Sequence, residues 1–366
     1  MNKEFIPGLK LSEYLYRETV KLLLEELFPN LPYSAALIGL GSEVLGFDTP
    51  QSRDHDWGPR LMLFLNETDI ETCGEKIEQV LNQKLPSEVH GYPIDLAWAR
   101  QDGSTGRKAT GNPVHHGLRV YTVRDYVRGI LHVEFDQEWQ AVDWLTFSEQ
   151  RLRSLTAGKV FHDGLGQLEP LREKLHDYPR DVWLYLLAAQ WRRIAQEEPF
   201  MGRCGQVGDE LGSRLVAARL VRDLMHLCFL MERKYAPYIK WLGTAFAQLQ
   251  CAGHLTSILM QTLEAATWQE REKPLTDAYE FVAEMHNHLG ITAPLATGVS
   301  QFYERPFRVI QADRFVDAIR AAIASEEVRS LPEHLGSVDQ FTDSTDALDH
   351  LTRFRFVLNT EKENGI

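Results

Sequence analysis

The sequence predicts an α+β protein in which a small mixed α/β domain precedes a helical bundle. In the first 130 residues, short apolar runs of strand length alternate with segments of helical spacing. Beyond residue 160, long segments with helical spacing replace nearly all strand-like alternation. We therefore expect an α/β domain over residues 1–130 and a helical domain over residues 131–366.

Composition limits the classes of function. The chain has 366 residues, of which 44% are hydrophobic and 25% charged, so it can form two domains with cores of their own. Its formal net charge is -13, whereas a general nucleic-acid surface needs surplus lysine and arginine. We therefore expect no general DNA binding, although this net charge does not exclude a local basic groove.

Cysteine spacing and hydropathy bear on the cellular compartment. The four cysteines show no C-x-x-C spacing, which is typical of reduced buried thiols rather than of a disulfide framework or a zinc site. The N-terminus lacks an apolar signal core, and the longest apolar run, residues 182–189, is far shorter than the roughly 20 residues of a membrane helix. We expect a cytoplasmic protein without a membrane segment.

Capping residues and apolar spacing predict the individual elements. The elements expected in the first domain are a helix capped by Ser12 and ended by Pro29, strands at residues 34–40 and 60–65, a helix at residues 70–85, a strand around Asp95 and a helix begun by Thr122 or Asp125. The helices expected in the second domain span residues 181–194, 210–233, 238–249, 254–267 and 275–288. The first of these is apolar nearly all round, which predicts a buried central helix.

The residues 40–57, LGSEVLGFDTPQSRDHDW, are the centre of the first domain. If residues 54–57 are extended, Asp54 and Asp56 project to one side of the backbone and His55 to the other. Two such carboxylates repel each other unless a cation lies between them, and hard oxygen ligands suit Mg²⁺. A D-x-D alone is common on solvated loops, but here it lies between two apolar strands and follows a glycine turn.

That turn, Gly41-Ser42, adds a second half to the predicted site. Glycine gives the backbone the freedom a tight turn needs, and without a Cβ it lets a phosphate approach the main chain. Ser42 adds a hydroxyl donor. The turn and the paired acids together predict a cradle for a metal-bound triphosphate.

These residues resemble the signature of the nucleotidyltransferase superfamily, which has the polymerase-beta-like fold. In that signature a G-S is followed, after about ten residues, by a D-x-D on the next strand. Gly41 and Ser42 match the phosphate-binding turn, and Asp54 and Asp56 match the two metal ligands. The resemblance also implies a third acid on a later strand, for which Asp95 is the candidate. The interval from Ser42 to Asp54 is about one residue longer than in the antibiotic-modifying members, which leaves room for a different turn.

The resemblance extends along the chain to an uncharacterised bacterial family, described as a domain of unknown function with a nucleotidyltransferase-like N-terminal part. GSEVLGFDT, SRDHDWG, a D-V-W-L-Y-L-L helix and a Y-A-P-Y-x-K-W-L-G segment recur in it together. The two-domain layout is similar to that of aminoglycoside nucleotidyltransferases, which hold ATP and the acceptor between an α/β domain and a helical bundle. Those enzymes also take a phosphate-contacting lysine from the helical domain.

Residues 232–246 contain the best candidate for that lysine. Lys240 can contact phosphate as a point charge, and Tyr238 can stack on a base. The alternative is a surface lysine beside core aromatic residues. Two other segments leave similar alternatives: the glycine-rich residues 201–213 suit either an anion or an interhelical turn capped by Asp209, and His115-His116 suit a surface loop better than a metal.

The expected function is that of a Mg²⁺-dependent nucleotidyltransferase. Asp54 and Asp56 hold one or two Mg²⁺ ions on ATP or another NTP, and Asp95 completes the metal site or accepts the proton of an attacking hydroxyl. The enzyme then transfers a nucleoside monophosphate, with AMP expected, and releases pyrophosphate. The acceptor is open: a small molecule, a tRNA end or a protein side chain would serve.

Two other functions compete with this one. The same fold can form a catalytically silent nucleotide-binding sensor or an interaction protein. A metal-dependent phosphohydrolase that uses His55 with the two acids is disfavoured, because His55 points away from them on a strand.

Overall fold

The computed structural model of the protein describes residues 4–54, 57–94, 98–101, 104–107, 118–333, 335–344 and 348. The chain divides into two compact units. The first consists of Met1–Glu138 and Arg151–His176, and the second of Trp139–Gln150 and Asp177–Ile366. This division differs from the expected one at residue 130, because residues 151–176 return to the first unit.

The first unit begins with a long helical stretch made of α1 (Gly8–Leu15), a π-helical turn (Tyr16–Val20) and α2 (Lys21–Leu27). Its apolar side packs on the sheet, with Leu15 and Val20 fully buried in one cluster with Leu61. The predicted cap at Ser12 is wrong. The Ser12 hydroxyl lies inside α1 and donates to the Gly8 carbonyl, 3.0 Å away, because a serine in a helix can satisfy its hydroxyl one turn back.

The strands of the first unit form one four-stranded sheet and two short hairpins. In chain order they are β1 (Ser34–Leu37), β2 (Leu61–Phe64), β3 (Glu88–Val89), β4 (Tyr92–Pro93), β5 (Trp98–Gln101), β6 (Ser104–Arg107), β7 (Leu118–Tyr121) and β8 (Lys159–Asp163). The sheet has the order β7-β2-β1-β8. β1 is antiparallel to β2 and β8, and β2 is parallel to β7. β3 pairs with β4, and β5 with β6.

This topology describes the chain around the strand predicted at Asp95. The described residues on either side of it, β4 and β5, pair in the two hairpins, and β7 occupies the place beside β2. Asp95 itself lies outside the described residues. The sequence did not separate these candidates because short apolar runs look alike whether they join a central sheet or a hairpin.

The other helical segments up to residue 176 are α3 (Ser42–Leu45), a 3₁₀ helix (Pro50–Asp54), α4 (Glu67–Asp69), a π-helical turn (Ile70–Gly74), α5 (Glu75–Lys84), α6 (Val123–Leu131), α7 (Ala141–Thr146), α8 (Glu149–Thr156) and α9 (Leu168–His176). The helix predicted at residues 70–85 corresponds to the π-helical turn and α5. Thr122 caps α6, as one of the two predicted caps, and its hydroxyl accepts from the Asp125 N–H at 3.0 Å.

Strand β8 was not predicted. It is only partly buried along its length, so its side chains lack the clean alternation that marks a half-buried strand. Its last residue, Asp163, accepts hydrogen bonds from the Ser34 hydroxyl at 2.6 Å and from the Glu169 N–H at 3.0 Å. One carboxylate therefore links the start of β1 to the start of α9.

The second unit is helical, as expected. Its helices are α7, α10 (Arg180–Glu197), α11 (Phe200–Gln206), α12 (Glu210–Met231), α13 (Ile239–Phe246), α14 (Ala252–Glu264), α15 (Trp268–His288), α16 (Asp313–Ala321), α17 (Glu326–Arg329) and α18 (Val338–Phe341), with a hairpin of β9 (Ser300–Gln301) and β10 (Arg308–Val309). In the described residues no helix is both long and apolar enough to cross a bilayer.

Helix α10 is the buried centre that its sequence predicts. Trp183 is buried and donates from Nε1 to the Leu230 carbonyl at 2.7 Å. Trp191 is fully buried and stacks on Phe315, with 4.2 Å between ring centroids. Both tryptophans are core residues.

Asp163→Asn tests the link between β1, β8 and α9. Burial opposes ionisation of this carboxyl, but the hydrogen bonds that it accepts lower its pKa below the ordinary 3.8. Its contribution is therefore complete only well above the ordinary pKa of 3.8, and it is lost as the pH falls from there through the lowered pKa. We expect the variant to be less stable at pH 7 by about 1–3 kcal/mol.

Urea unfolding of both proteins at pH 7 and pH 3 measures this contribution. The difference between them should shrink at the lower pH. A difference that stays constant or grows would contradict the assignment.

Candidate functional site

The turn that follows β1 is built from glycines with left-handed backbone. Gly39 has φ 91° and Gly41 has φ 135°, a region that side chains strongly disfavour. The Gly39 N–H donates to the Ser154 carbonyl at 2.8 Å. Helix α3 then runs from Ser42 to Leu45 and is capped by Gly46, which is also left-handed with φ 73°. The predicted glycine turn at Gly41-Ser42 is thus present.

The turn has no room for side chains on either glycine. A Cβ on Gly39 would lie 2.3 Å from the Tyr126 hydroxyl oxygen, and one on Gly41 would lie 2.4 Å from Arg60 Nη2. Both distances are far below van der Waals contact. The missing Cβ atoms therefore let two of the protein's own polar groups approach the backbone.

Arg60 is held against this turn by a buried ion pair. Its Nε and Nη2 donate to Glu43 Oε1 at 2.9 and 2.5 Å, and Nη2 also donates to the Leu40 carbonyl at 2.8 Å. Glu43 is only 1% exposed. Burial raises the pKa of Glu43, and the positive charge of Arg60 opposes that rise. Within the described part of the chain, Glu43 Oε2 has no hydrogen-bond partner.

Arg60 was missed as a site residue. A search for a cation within residues 41–57 finds only Arg53, and Arg60 lies three positions beyond that stretch. The available signal was a lone arginine directly before an apolar strand, at the end that faces the turn.

Asp48 and Trp57 fix the rest of the stretch. Asp48 Oδ2 accepts from the Gly8 N–H and from Trp57 Nε1, both at 2.8 Å. Trp57 is 1% exposed and packs between Phe5 and Tyr92, with ring centroids 5.6 and 5.5 Å away. The residue that follows Asp56 is therefore a fixed point of the core.

Strand register brings the turn and this anchored segment to one edge of the sheet. Ala36 near the end of β1 pairs with Met62 near the start of β2. Leu61, the first residue of β2, pairs with Leu118, the first residue of β7. The chain therefore leaves β1 through the glycine turn at the same edge where it enters β2.

The predicted acids are described only in part. The backbone of Asp54 closes the 3₁₀ helix, so the extended conformation assumed for residues 54–57 does not begin at Asp54. Asp56 and Asp95 lie outside the described residues, as do His55, His115 and His116. Among the residues that are described, no three His, Cys, Asp or Glu side chains lie together as a metal site. The metal assignment stays a prediction.

Tyr238 and Lys240 lie at the start of α13 in the second unit. The Tyr238 N–H donates to Gln150 Oε1 at 3.1 Å. Lys240 is exposed, with its Nζ 5.1 Å from the centroid of the Trp241 ring. Tyr238 also lines a cavity of about 190 Å³, together with Arg222 and other residues of the unit. Their role in nucleotide binding stays a prediction.

The glycine-rich residues 201–213 have a packing role. A Cβ on Gly205 would lie 2.1 Å from Trp268 Cγ, and one on Gly202 would lie 2.5 Å from Phe307 Cγ. Asp209 caps α12, accepting from the Gly212 N–H at 2.8 Å. The predicted cap at Asp209 is confirmed, whereas most of residues 201–213 lie in α11 and α12, so the connection itself is only residues 207–209.

Gly39→Ala tests how tightly the turn is closed. The substitution forces an unfavourable φ and places a methyl group on the Tyr126 hydroxyl, so we expect a loss of about 3 kcal/mol or more in the free energy of unfolding. Gly46→Ala is the matched control: it has a positive φ but no atom within 4 Å of the added Cβ. Its loss should be only about 1 kcal/mol.

Urea unfolding of the two variants gives the comparison. Adding Tyr126→Phe to Gly39→Ala removes the hydroxyl and should restore part of the loss. Equal losses for both glycines would show that the contact contributes nothing.

One family model, described as Domain of unknown function (DUF4037), matches residues 144–242. This range is well under half of the chain, and it contains the D-V-W-L-Y-L-L helix and most of the Y-A-P-Y-x-K-W-L-G segment. No curated protein matches the chain. No solved structure matches it. The chain is therefore similar to an uncharacterised family over this part, and residues 40–57 lie outside the match.

Proposed function

We propose that the protein is a Mg²⁺-dependent nucleotidyltransferase, which moves a nucleoside monophosphate from an NTP to a hydroxyl acceptor and releases pyrophosphate. The observation that supports this most is the register of β1 and β2. It brings the end of β1, with the Gly41-Ser42 turn, to the sheet edge where residues 57–60 lead into β2. Phosphate-binding groups and metal ligands must meet in this way to hold a metal-bound triphosphate.

The other acids in residues 40–57 have structural partners, which supports the choice of ligands. Glu43 is paired with Arg60, and Asp48 is held by Gly8 and Trp57. Asp54 and Asp56 are the remaining carboxylates of the stretch, and carboxylate oxygens suit Mg²⁺. Asp95 would be the third ligand or the group that accepts the proton of the acceptor hydroxyl.

The chemistry asks mainly for positioning and charge neutralisation. Bound Mg²⁺ would supply positive charge to the triphosphate oxygens. The Ser42 hydroxyl would donate a hydrogen bond to a phosphate oxygen. No group in the described part of the chain forms a hydrogen bond with that hydroxyl. Tyr238 and Lys240 would contribute a stacking surface and a charge from the helical unit.

Labelled NTPs test the proposal directly. The protein is incubated with Mg²⁺, each of four α-labelled NTPs and a cell extract divided into metabolites, RNA and protein. We expect label from one NTP, ATP first, to enter one fraction, with release of pyrophosphate. Tight NTP binding without transfer to any fraction would favour the silent nucleotide sensor instead.

Asp54→Asn and Asp56→Asn should abolish transfer and weaken Mg·NTP binding while the apo protein keeps its melting temperature. Asp48→Asn is the matched control from the same stretch. It weakens the hydrogen bonds that hold Gly8 and Trp57, so it should lower stability by about 1–2 kcal/mol and leave NTP affinity in the folded protein nearly unchanged. Full activity in either of the first two variants would reject the metal assignment.

Lys240→Ala should raise the Kd for Mg·NTP by roughly tenfold, a loss of about 1.4 kcal/mol, if its charge contacts phosphate. The apo melting temperature should stay nearly unchanged, because an exposed lysine contributes little to stability. Lys234→Ala, which removes another exposed lysine of the same unit, is the control and should bind normally. Isothermal titration calorimetry measures both affinities, and equal values would return Lys240 to an ordinary surface role.

A further inference from the structure

We infer that Arg60 is a polyphosphate-binding residue of the nucleotide site and that Glu43 positions it. The inference rests on the proposed function and adds a cation that residues 40–57 lack at their turn. The guanidinium lies directly on Gly41, since a Cβ at that position would be 2.4 Å from Arg60 Nη2 and 2.6 Å from Glu43 Oε2. A phosphate that approached the Gly41-Ser42 backbone would meet the guanidinium together with this carboxylate oxygen.

The ion pair leaves part of the guanidinium available. Glu43 Oε1 and the Leu40 carbonyl take the hydrogen bonds from Nε and Nη2. No described residue accepts one from Nη1, and the side chain remains 15% exposed. A guanidinium whose one edge is fixed and whose other edge is open presents donors in a constant direction, which suits phosphate oxygens better than a flexible lysine does.

Glu43 supplies the fixing group. Its carboxylate is almost fully buried, and Oε1 accepts both hydrogen bonds from Arg60. A buried carboxylate with one guanidinium partner holds that partner strongly, because separating the two would leave a charge unpaired away from water. Glu43 is thus a positioning residue, which acts on phosphate only through Arg60.

The competing explanation is that the ion pair is purely structural. The two explanations predict different effects on the affinity for anions. A structural pair contributes to unfolding free energy and leaves anion binding unchanged. A polyphosphate contact changes binding of inorganic tripolyphosphate, and losing the negative charge of Glu43 alone should not weaken that binding, since an anion then meets less repulsion.

The experiment compares Glu43→Gln with the double variant Glu43→Gln plus Arg60→Gln, in the full chain. Both keep side chains that can hydrogen-bond, and neither leaves a buried carboxylate unpaired, so both should fold; melting curves establish this. Affinity for inorganic tripolyphosphate with Mg²⁺ is then measured by calorimetry. We expect Glu43→Gln to bind at least as tightly as the unmodified protein, because its amide oxygen can still accept from Arg60 and hold the guanidinium in place. We expect the double variant to bind at least tenfold more weakly.

Arg128→Gln is the control for general charge. It removes an exposed arginine of the same unit, paired with Glu134 at 2.9 Å, and should leave affinity unchanged. Equal affinities for the single and double variants, or an equal loss in the control, would overturn the role of Arg60.

Failure of the proposed function gives a different pattern. If the double variant binds tripolyphosphate normally while the unmodified protein transfers labelled nucleotide, only the role of Arg60 is overturned. If the unmodified protein neither binds tripolyphosphate nor transfers label, the proposed function fails and the role of Arg60 fails with it.

Discussion

The first unit depends on the absence of side chains where the chain leaves β1. Gly39 and Gly41 let the Tyr126 hydroxyl and the Arg60 guanidinium come against the backbone, so α6 and the start of β2 can close around one turn. Gly158, whose added Cβ would lie 2.1 Å from the Leu37 carbonyl oxygen, does the same for β8. Three close approaches to glycine therefore shape the end of the sheet where β1 ends and β2 begins, and the proposed site lies there.

Long segments with regular spacing were predictable from sequence, because the burial of one face leaves a repeated pattern. Helix α12 spans Glu210–Met231 against a prediction of 210–233, and the all-apolar stretch around Trp183 is the buried centre of its unit. Short elements carried no such pattern. Strand β8 has five residues and is half-exposed, and β4 and β5 could not be distinguished from strands of the central sheet.

The candidate site divides in a similar way. A turn at Gly41 followed from residue type, since positive φ selects glycine locally. The pairing of Arg60 with Glu43 did not follow, because it joins residues 17 positions apart whose meeting depends on the antiparallel register of β1 and β2. In the sequence, the carboxylates of Glu43 and Asp48 are the same kind of candidate ligand as those of Asp54 and Asp56, and only tertiary contacts show that the first two have partners within the fold.

The first unit is formed by two separate segments of the chain, and this affects its folding during synthesis. Ser34 and Asp163, which meet at the outer strand of the sheet, are 129 residues apart. During synthesis, the side of β1 that pairs with β8 therefore keeps unpaired backbone groups until β8 has left the ribosome. A fragment that stops before residue 163 would keep this edge open and would tend to associate with other chains through it. An expression fragment of the first unit has to reach residue 176, and it then includes residues 139–150, which belong to the second.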